Sequence, residues 1–478
     1  MKLRPAIHHL FDVDSTPFVY LANSGSVLEL DAIAADIMRS AGDGLDANEC
    51  PEEQQRELLR ELVAVGAFVP DPQPPSSGNR LPPMPFPLST LVLNVTNKCN
   101  LSCTYCYEYG EDKLPGTSAS EGPQRPALMT PDVAVQSVEM LLEYSAGSPR
   151  LSITFFGGET LLNLAAIRAA VEHAEERCAE LGREVMFALT TNATLMTDEV
   201  VDFLHAHRFG VNISIDGAEE HQDRHRQFKD GSGSYGRILP QVRKLIDRRP
   251  QNGRPIGARV TLTRDVLDVQ GIYHHLVNEI GFDQAGFAPV TSAPGRDYAL
   301  SEDDHNNILD QFDALSTDYV AAAIRGERHG FSNLEDLLRE LHQGVNKAHP
   351  CGAGLGLLGV ATDGDLGLCH RFVESGEFQM GTIADGIDEK KRQSFLESAH
   401  IENKSPCQTC FARPLCSGGC YHEAWVRHDD PVAANVHYCD WIRSWTAMGL
   451  RCYGQIALAN PSFLEQFSSQ PQVAGRES

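Results

Sequence analysis

Between residues 91 and 290 the chain alternates short apolar runs with longer stretches in which apolar positions recur at helical spacing. The short runs are Leu91–Val95, Leu151–Phe156, Val185–Thr190, Gly210–Ile215, Ala258–Thr263 and Ala285–Val290. Strands alternating with helical patterns predict parallel βα units. Six of them fit an α/β chain with a partial (β/α)6 TIM-like barrel over residues 89–300. In such a barrel, catalytic groups belong at the C-terminal ends of the strands.

Upstream, Phe18-Val19-Tyr20-Leu21 and Val27-Leu28 flank the turn signal Asn23-Ser24-Gly25 and predict a hairpin within residues 16–30. Leu30, Ile33, Ala34, Ile37 and Met38 share one face of a helix that Asp31 would cap. A second helix over 52–65 turns Leu58, Leu59, Leu62 and Val63 inward, ends at Gly66 and leads to a short strand at Ala67–Val69. These elements make a small unit at 1–75. The segment Asp71–Pro87, which holds PQPPSSG and LPPMPFP, with 76–88 as the connection proper, reads as a semi-rigid Pro-rich linker. Downstream of the barrel come a helical connection at 301–346 and a cysteine-rich region at 347–458 that closes on a packing helix, Trp441–Leu458. A tail at 459–478 is expected to be disordered. Gly110–Ala127 and Arg226–Gly236, rich in Gly and polar residues, are expected to be mobile loops.

A length of 478 residues implies several domains. The net charge of -25 argues against non-specific nucleic-acid binding, which needs clustered Lys and Arg. No run of about 18 apolar residues predicts a membrane span. The opening MKLRPAIHHLFDVD lacks the apolar core of an export signal, so a cytoplasmic location is expected. Of thirteen cysteines, Cys50, Cys178 and Cys452 stand apart, and the other ten fall into metal-ligand spacings. In a reducing compartment such cysteines bind metal rather than one another.

The first group lies directly after the first barrel strand: Cys99, Cys103 and Cys106 in NVTNKCNLSCTYCYEY. Three thiolates on a loop can hold three irons of a [4Fe-4S] cluster and leave the fourth iron open to a ligand. A zinc site would need a fourth protein ligand nearby, and buried core cysteines have no reason to follow ligand spacing. The second group is Cys351, Cys369, then Cys407-x2-Cys410-x5-Cys416-x3-Cys420, and Cys439. Seven thiolates leave two four-ligand sites one ligand short. A zinc ribbon is the alternative, since Cys-x2-Cys pairs serve zinc equally well.

The Cys-x3-Cys-x2-Cys loop with Tyr105 before its last cysteine resembles the signature of the radical S-adenosylmethionine (SAM) enzymes. The resemblance implies a cluster whose open iron binds SAM, whose reductive cleavage gives a 5'-deoxyadenosyl radical. Gly157-Gly158-Glu159 matches that family's GGE motif, implied to clasp the SAM amino group. Thr190-Thr191-Asn192 and Ser214-Ile215-Asp216-Gly217 resemble its TTN and SxDG segments, which would place Asn192 and Ser214 on the ribose. Arg259 and Thr261, alternating to one face of the fifth strand, could reach the SAM carboxylate and adenine.

The C-terminal spacing resembles the SPASM module, implying that Cys351, Cys369 and Cys420 hold one auxiliary cluster and Cys407, Cys410, Cys416 and Cys439 a second. Three [4Fe-4S] clusters and SAM are thus the implied cofactors. The N-terminal unit resembles a winged-helix-like peptide-recognition domain, in which a leader peptide adds as a strand beside the hairpin; its alternative is a packing domain without a ligand. Sulfatase-maturating SPASM enzymes carry a catalytic Asp after the second cysteine of this module, where this chain has His370.

The stretch NVTNKCNLSCTYCYEYGEDK looks most like the quinohemoprotein amine dehydrogenase maturation family. That resemblance implies Cys-to-Asp/Glu thioether formation in a small Cys-rich polypeptide, with Asp216 and His370 as candidate bases and a flavodoxin- or ferredoxin-like low-potential electron donor. Other SPASM chemistry, formylglycine-forming or sactipeptide-type, and a non-enzymatic metal-binding peptide scaffold are the alternatives.

Overall fold

The computed structural model describes residues 2–42, 44–46, 53–71, 81, 85–106, 126–293, 295–373 and 375–468. The expected mobile loop at Gly110–Ala127, Cys50 and most of the Pro-rich linker lie outside the described residues, apart from the ends of each segment.

The N-terminal unit contains β1 (Lys2–Pro5), β2 (His8–Val13), β3 (Thr16–Leu21), β4 (Ser26–Glu29), α1 (Ala32–Ser40), β5 (Leu45–Asp46), α2 (Glu53–Ala64) and β6 (Phe68–Pro70). Two antiparallel sheets result, in the orders β5-β1-β6 and β2-β3-β4. The Asp31 side chain accepts from the Ala34 N–H at 2.7 Å, capping α1 as expected. The period-two alternation of β3 divides its side chains between two cores. Val19 and Leu21 join Ala34, Ile37, Leu59 and Phe68 in a local core. Phe18 and Tyr20 turn the other way, with Phe11 and Val13, into the main core of the chain. The hairpin is therefore apolar on both faces because it is packed on both faces. The His9 ring stacks on Phe411 at 4.3 Å, and the Asn23 carbonyl accepts from Asn346 at 2.7 Å, fastening the unit to the C-terminal region.

The barrel comprises β7 (Thr90–Thr96), α3 (Pro131–Tyr144), β8 (Arg150–Gly157), α4 (Leu164–Glu180), β9 (Glu184–Thr191), α5 (Asp198–Ala206), β10 (Gly210–Ser214), α6 (Glu219–His225), α7 (Tyr235–Asp247), β11 (Ile256–Leu262), α8 (Val269–Tyr273) and β12 (Gln284–Pro289). The six strands pair in parallel in sequence order, each within two residues of the predicted run. Then α9 (Glu302–Ile324) opens on a capping box between Ser301 and Asp304, and α10 (Ser332–His342) follows.

The sheet does not stop at six strands. β13 (Leu357–Val360) adds in parallel to the free side of β7, and β14 (Asp365–Gly367), β15 (Gln379–Thr382) and β16 (Gly386–Ile387) extend it as an antiparallel meander to ten strands. The remaining helices are α11 (Glu389–Ala399), α12 (Arg413–Cys416), α13 (Tyr421–His428), α14 (Cys439–Ala459) and α15 (Pro461–Leu464). Trp445 of α14 meets Phe312 of α9 edge to face at 5.2 Å. Among the described residues no helix is long and apolar enough to cross a membrane.

Two expectations are corrected. Residues 461–467, placed in a disordered tail, form α15 and a 3-10 turn, and Leu464 and Phe467 are buried in the main core. Polar residues around two apolar anchors hide that packing in the sequence. Arg226–Gly236, expected to be mobile, is a hydrogen-bonded turn: Gln227 bridges Gly233, Phe228 bridges Leu101 of the cysteine loop, and Ser234 is fully buried. Phe467→Ala should lower stability by about 3–5 kcal/mol, the range for truncating a buried aromatic. Chemical denaturation checks this, and a change within error would show that the terminal turn does not hold the core.

Candidate active site

Cys99, Cys103 and Cys106 leave the C-terminal end of β7 on a loop whose shape is set by two groups of buried polar contacts. On one side, the Asn192 amide donates to Asn100 Oδ1 at 3.0 Å and lies 3.9 Å from the Cys99 sulfur. Asn100 in turn donates to Thr194 Oγ1 at 2.7 Å, and Thr194 donates to Asn192 Oδ1 at 2.6 Å. The strand-end amide therefore braces the loop as well as facing the cavity.

On the other side lies a buried charge pair. Asp216 has no exposed surface, and its Oδ2 accepts from Arg226 Nε at 3.0 Å and from the Tyr105 hydroxyl. Its Oδ1 accepts from the Thr261 N–H at 3.0 Å. The Asp216 N–H donates to Gln222, which donates to Ser234 Oγ, which donates to the Arg226 carbonyl. Arg226 Nη1 reaches to 4.0 Å from the Cys103 sulfur, and its guanidinium lies over the Tyr105 ring at 5.5 Å. Burial pushes the Cys103 thiol up to about 11, with the Arg226 charge opposing. Burial works against the Arg226 charge too, but Asp216, Tyr105 and Cys103 outweigh it and the guanidinium stays protonated. Behind the loop, His225 bridges Thr104 Oγ1 at 2.6 Å and Thr263 Oγ1 at 3.0 Å.

This arrangement corrects the role expected of Asp216. Both carboxylate oxygens are engaged and none of the group is exposed, so it holds the cysteine loop and is not presented to a substrate as a base. Tyr105 is likewise bound inward through its hydroxyl. Glu159 also turns away from the site: its carboxylate accepts from Thr191 Oγ1 at 2.5 Å, from the Asn192 N–H at 2.8 Å and from the Leu161 N–H at 3.1 Å. Burial raises its pKa and these donors oppose the rise. The backbone of Gly157 and Gly158 lines the cavity in its place. Gly157 sits at φ +132°, and a Cβ there would come within 2.3 Å of the Thr96 carbonyl oxygen, so only glycine fits.

One cavity of 1920 Å³ takes in these groups. Cys99, Cys103 and Cys106 line it together with Gly157, Gly158, Asn192, Ser214, Arg259 and Thr261. His370, Cys416 and Cys420 line another part of it. His370 directly follows Cys369; its carbonyl accepts from Asn94 of β7 at 3.2 Å, and its ring lies 4.6 Å from Phe156. Arg226, His225 and the Asn100–Thr194 brace were not singled out from sequence. The one available signal for Arg226 was the need of a strand-end carboxylate for a buried countercharge.

The C-terminal thiols fall into two neighbourhoods. Cys369 lies within electrostatic reach of Cys351 and Cys420, and Cys416 within reach of Cys407, Cys410 and Cys439. Burial raises Cys369, and it pushes Cys416 up to about 11. Among the described residues no three of His, Cys, Asp and Glu converge on a point that would take a single metal ion. The groupings suit larger polynuclear clusters, whose irons would favour the thiolate form that burial opposes at Cys369 and Cys416. The Lys404 side chain is also buried, with no hydrogen-bond partner for its Nζ; burial lowers its pKa, and negative charge at Cys407, Cys416 and Cys351 opposes that shift. An orphaned cation among thiols fits anionic thiolate-ligated clusters on either side.

Residues 93–257 match the model of the Radical SAM superfamily. The chain is 25% identical over 349 residues to the serine-type anaerobic sulfatase-maturating enzyme of Klebsiella aerogenes, covering 71% of this chain and 81% of the relative. It is similar in fold to native anSMEcpe with bound AdoMet and Kp18Cys peptide, with a TM-score of 0.61 and 21% identity, over 80% of this chain and 100% of that one. Streptococcus suis SuiB bound to precursor peptide SuiA is similar over 92% of this chain and 100% of its own, with a TM-score of 0.50 and 15% identity.

Asp216→Asn should cost roughly 3–5 kcal/mol, because it leaves the Arg226 charge buried without its partner. Gly157→Ala should distort the turn at Thr96 and lower stability too. Chemical denaturation checks both variants; wild-type stability in either contradicts the packing described for it.

Proposed function

We propose, from the match to the Radical SAM superfamily model and the similarity to sulfatase-maturating relatives, that this chain is a SPASM-type radical SAM maturase and forms Cys-to-Asp/Glu thioether cross-links in a small ribosomally made polypeptide. The quinohemoprotein amine dehydrogenase small subunit is the substrate type. The observation that carries the proposal is the shared cavity: a peptide in it is open both to the Cys99, Cys103 and Cys106 loop and to the wall formed by His370 and Cys420. A [4Fe-4S] cluster on the first loop, when bound, supplies the electron that cleaves SAM to the 5'-deoxyadenosyl radical used to abstract a substrate hydrogen.

The chain's own residues do the rest. The Asp216–Arg226 pair and the Asn192–Asn100 brace fix the loop so that the reacting atoms keep one geometry. The Gly157-Gly158 backbone takes the SAM amino group, Asn192 and Ser214 the ribose, and Arg259 and Thr261 the carboxylate and adenine. His370, on the cavity wall, takes the proton of the substrate thiol as its sulfur joins the substrate carbon radical, and the electron released by that union would pass to the auxiliary cluster that Cys351, Cys369 and Cys420 would hold. Cys351, Cys369 and Cys420 hold one auxiliary [4Fe-4S] cluster and Cys407, Cys410, Cys416 and Cys439 the other. The N-terminal unit binds part of the polypeptide by strand addition, and a flavodoxin- or ferredoxin-like protein delivers the electron.

The similarity to a sulfatase-maturating enzyme favours a second reading, formylglycine formation. His370 stands against it, because an Asp is expected at that place.

Coexpression with a small Cys-rich polypeptide, followed by mass spectrometry, separates the two. Thioether formation gives a product two hydrogens lighter per bond that resists thiol alkylation; a hydrazide-reactive aldehyde would establish the second reading instead. Changing Cys99, Cys103 and Cys106 together to Ala should abolish 5'-deoxyadenosine formation while the auxiliary iron remains. Deoxyadenosine produced by that variant would mean that the wrong cysteines have been assigned to SAM cleavage.

A further inference from the structure

The two C-terminal thiol groups are separated by a very short stretch of chain. Cys416 and Cys420 belong to different groups, and Ser417-Gly418-Gly419 joins them. Both glycines have φ of +84°. A Cβ on Gly418 would lie 2.7 Å from Lys404 Cδ and 3.2 Å from its Nζ, and one on Gly419 would lie 2.4 Å from the Tyr438 hydroxyl. The glycines are thus the space into which Lys404 is packed from one side and Tyr438 from the other.

Lys404 is 3% exposed, and its Nζ is buried without a hydrogen-bond partner. Its place is fixed by the backbone, since the Lys404 carbonyl accepts from the Cys407 N–H at 2.9 Å. The ammonium lies 5.1 Å from the centroid of Tyr421, the residue that follows Cys420. Burial lowers the Lys404 pKa, and negative charge at Cys407 and Cys416 of one group, at Cys351 of the other and at Asp430 opposes that shift. A buried ammonium with no hydrogen-bonded partner is costly unless anions lie close by. Here clusters held by the two groups would supply them.

We propose that Lys404 is a positioning residue whose ammonium serves as a shared countercharge between the two auxiliary iron–sulfur sites and raises the reduction potential of both. The inference rests on the cluster assignment proposed above. A [4Fe-4S] cluster gains one negative charge when it takes up one electron, and a fixed cation in a low-dielectric interior favours that form. Because the cation is shared, its removal acts on both sites, whereas an ordinary hydrogen-bond donor at one cysteine would act on one.

The test is an anaerobic potentiometric titration followed by electron paramagnetic resonance, on the full chain carrying Cys99→Ala, Cys103→Ala and Cys106→Ala so that only auxiliary signals remain. Iron is quantified in each sample. Lys404→Met should shift both auxiliary midpoints to more negative potential, by at least tenfold in the reduction equilibrium, which is 59 mV for one electron. Lys404→Arg, which keeps the charge, should leave both within threefold of the parent. Full iron with unchanged midpoints in Lys404→Met overturns the proposal, as does a shift confined to one cluster. If Lys404→Met cannot hold iron, Lys404→Arg decides: retained iron and potentials support a charge role, and loss in this variant too overturns it. Absence of auxiliary iron from the parent would instead sink the cluster assignment, and this inference with it.

Discussion

Strand β7 is the constraint on which the rest of the molecule depends. All seven of its residues are buried, and it is hydrogen-bonded in parallel to β8 on one side and to β13 on the other. Its C-terminal end releases the loop of Cys99, Cys103 and Cys106, while β13 leads through β14 to Cys369 and His370. Adjacent strands are held about 4.8 Å apart by their ladder. The relation between the first cysteine loop and the C-terminal cysteine region is therefore set by backbone hydrogen bonds within one sheet and not by a flexible join. The Asn94 bond to the His370 carbonyl ties the two at the point where the ladder ends.

Around that frame, charges are buried in compensated sets. Asp216 and Arg226 neutralise one another beneath the first loop, and the leftover donor capacity of the guanidinium is turned toward Cys103. Glu159 is held by three donors from neighbouring strand ends, so it joins the ends of β8 and β9 instead of reaching into the cavity. Removing one partner from such a set is far more damaging than exchanging a surface charge, because the remaining group cannot be rehydrated. The same logic makes Lys404 informative: burial lowers its pKa and its Nζ has no hydrogen-bond partner, so a charged form there calls for anions that clusters on the neighbouring cysteines would supply.

How much of this was legible in the sequence follows from the range of each interaction. The six barrel strands and α1 were readable because apolar runs and an Asp cap are local signals, and Gly157 was readable because a tight strand-end turn demands it. The sharing of β3 between two cores was not, since alternation on a strand reports burial on a face without saying what covers it. Arg226 looked like the start of a polar loop; its meaning comes from Asp216 ten positions earlier and Cys103 across the site. The extension of the sheet by β13 to β16 depends on the pairing of Leu357–Val360 with a strand over 260 residues away, and no periodicity encodes such a partner. Residues 461–467 failed for the opposite reason, with two apolar anchors too few to outvote their polar neighbours.

The interior of the barrel bears on what kind of substrate it admits. A closed eight-stranded barrel fills its centre with bulky branched side chains in layers. Here small or polar strand residues, among them Ser152, Thr154, Thr190, Asn212, Ser214 and Thr261, line the cavity beside larger ones such as Phe156, Met186 and Phe287, and the 1920 Å³ runs from the strands to the C-terminal region. That volume exceeds the roughly 300–1,000 Å³ of a pocket for a small ligand. On the proposed function, SAM would fill only part of it, which leaves room for a length of polypeptide near the first cysteine loop. On the proposed function, a site that brings a side chain of a polymer to the first cysteine loop needs such an excess of space, and His370 and Cys420 lie on the wall of the same cavity.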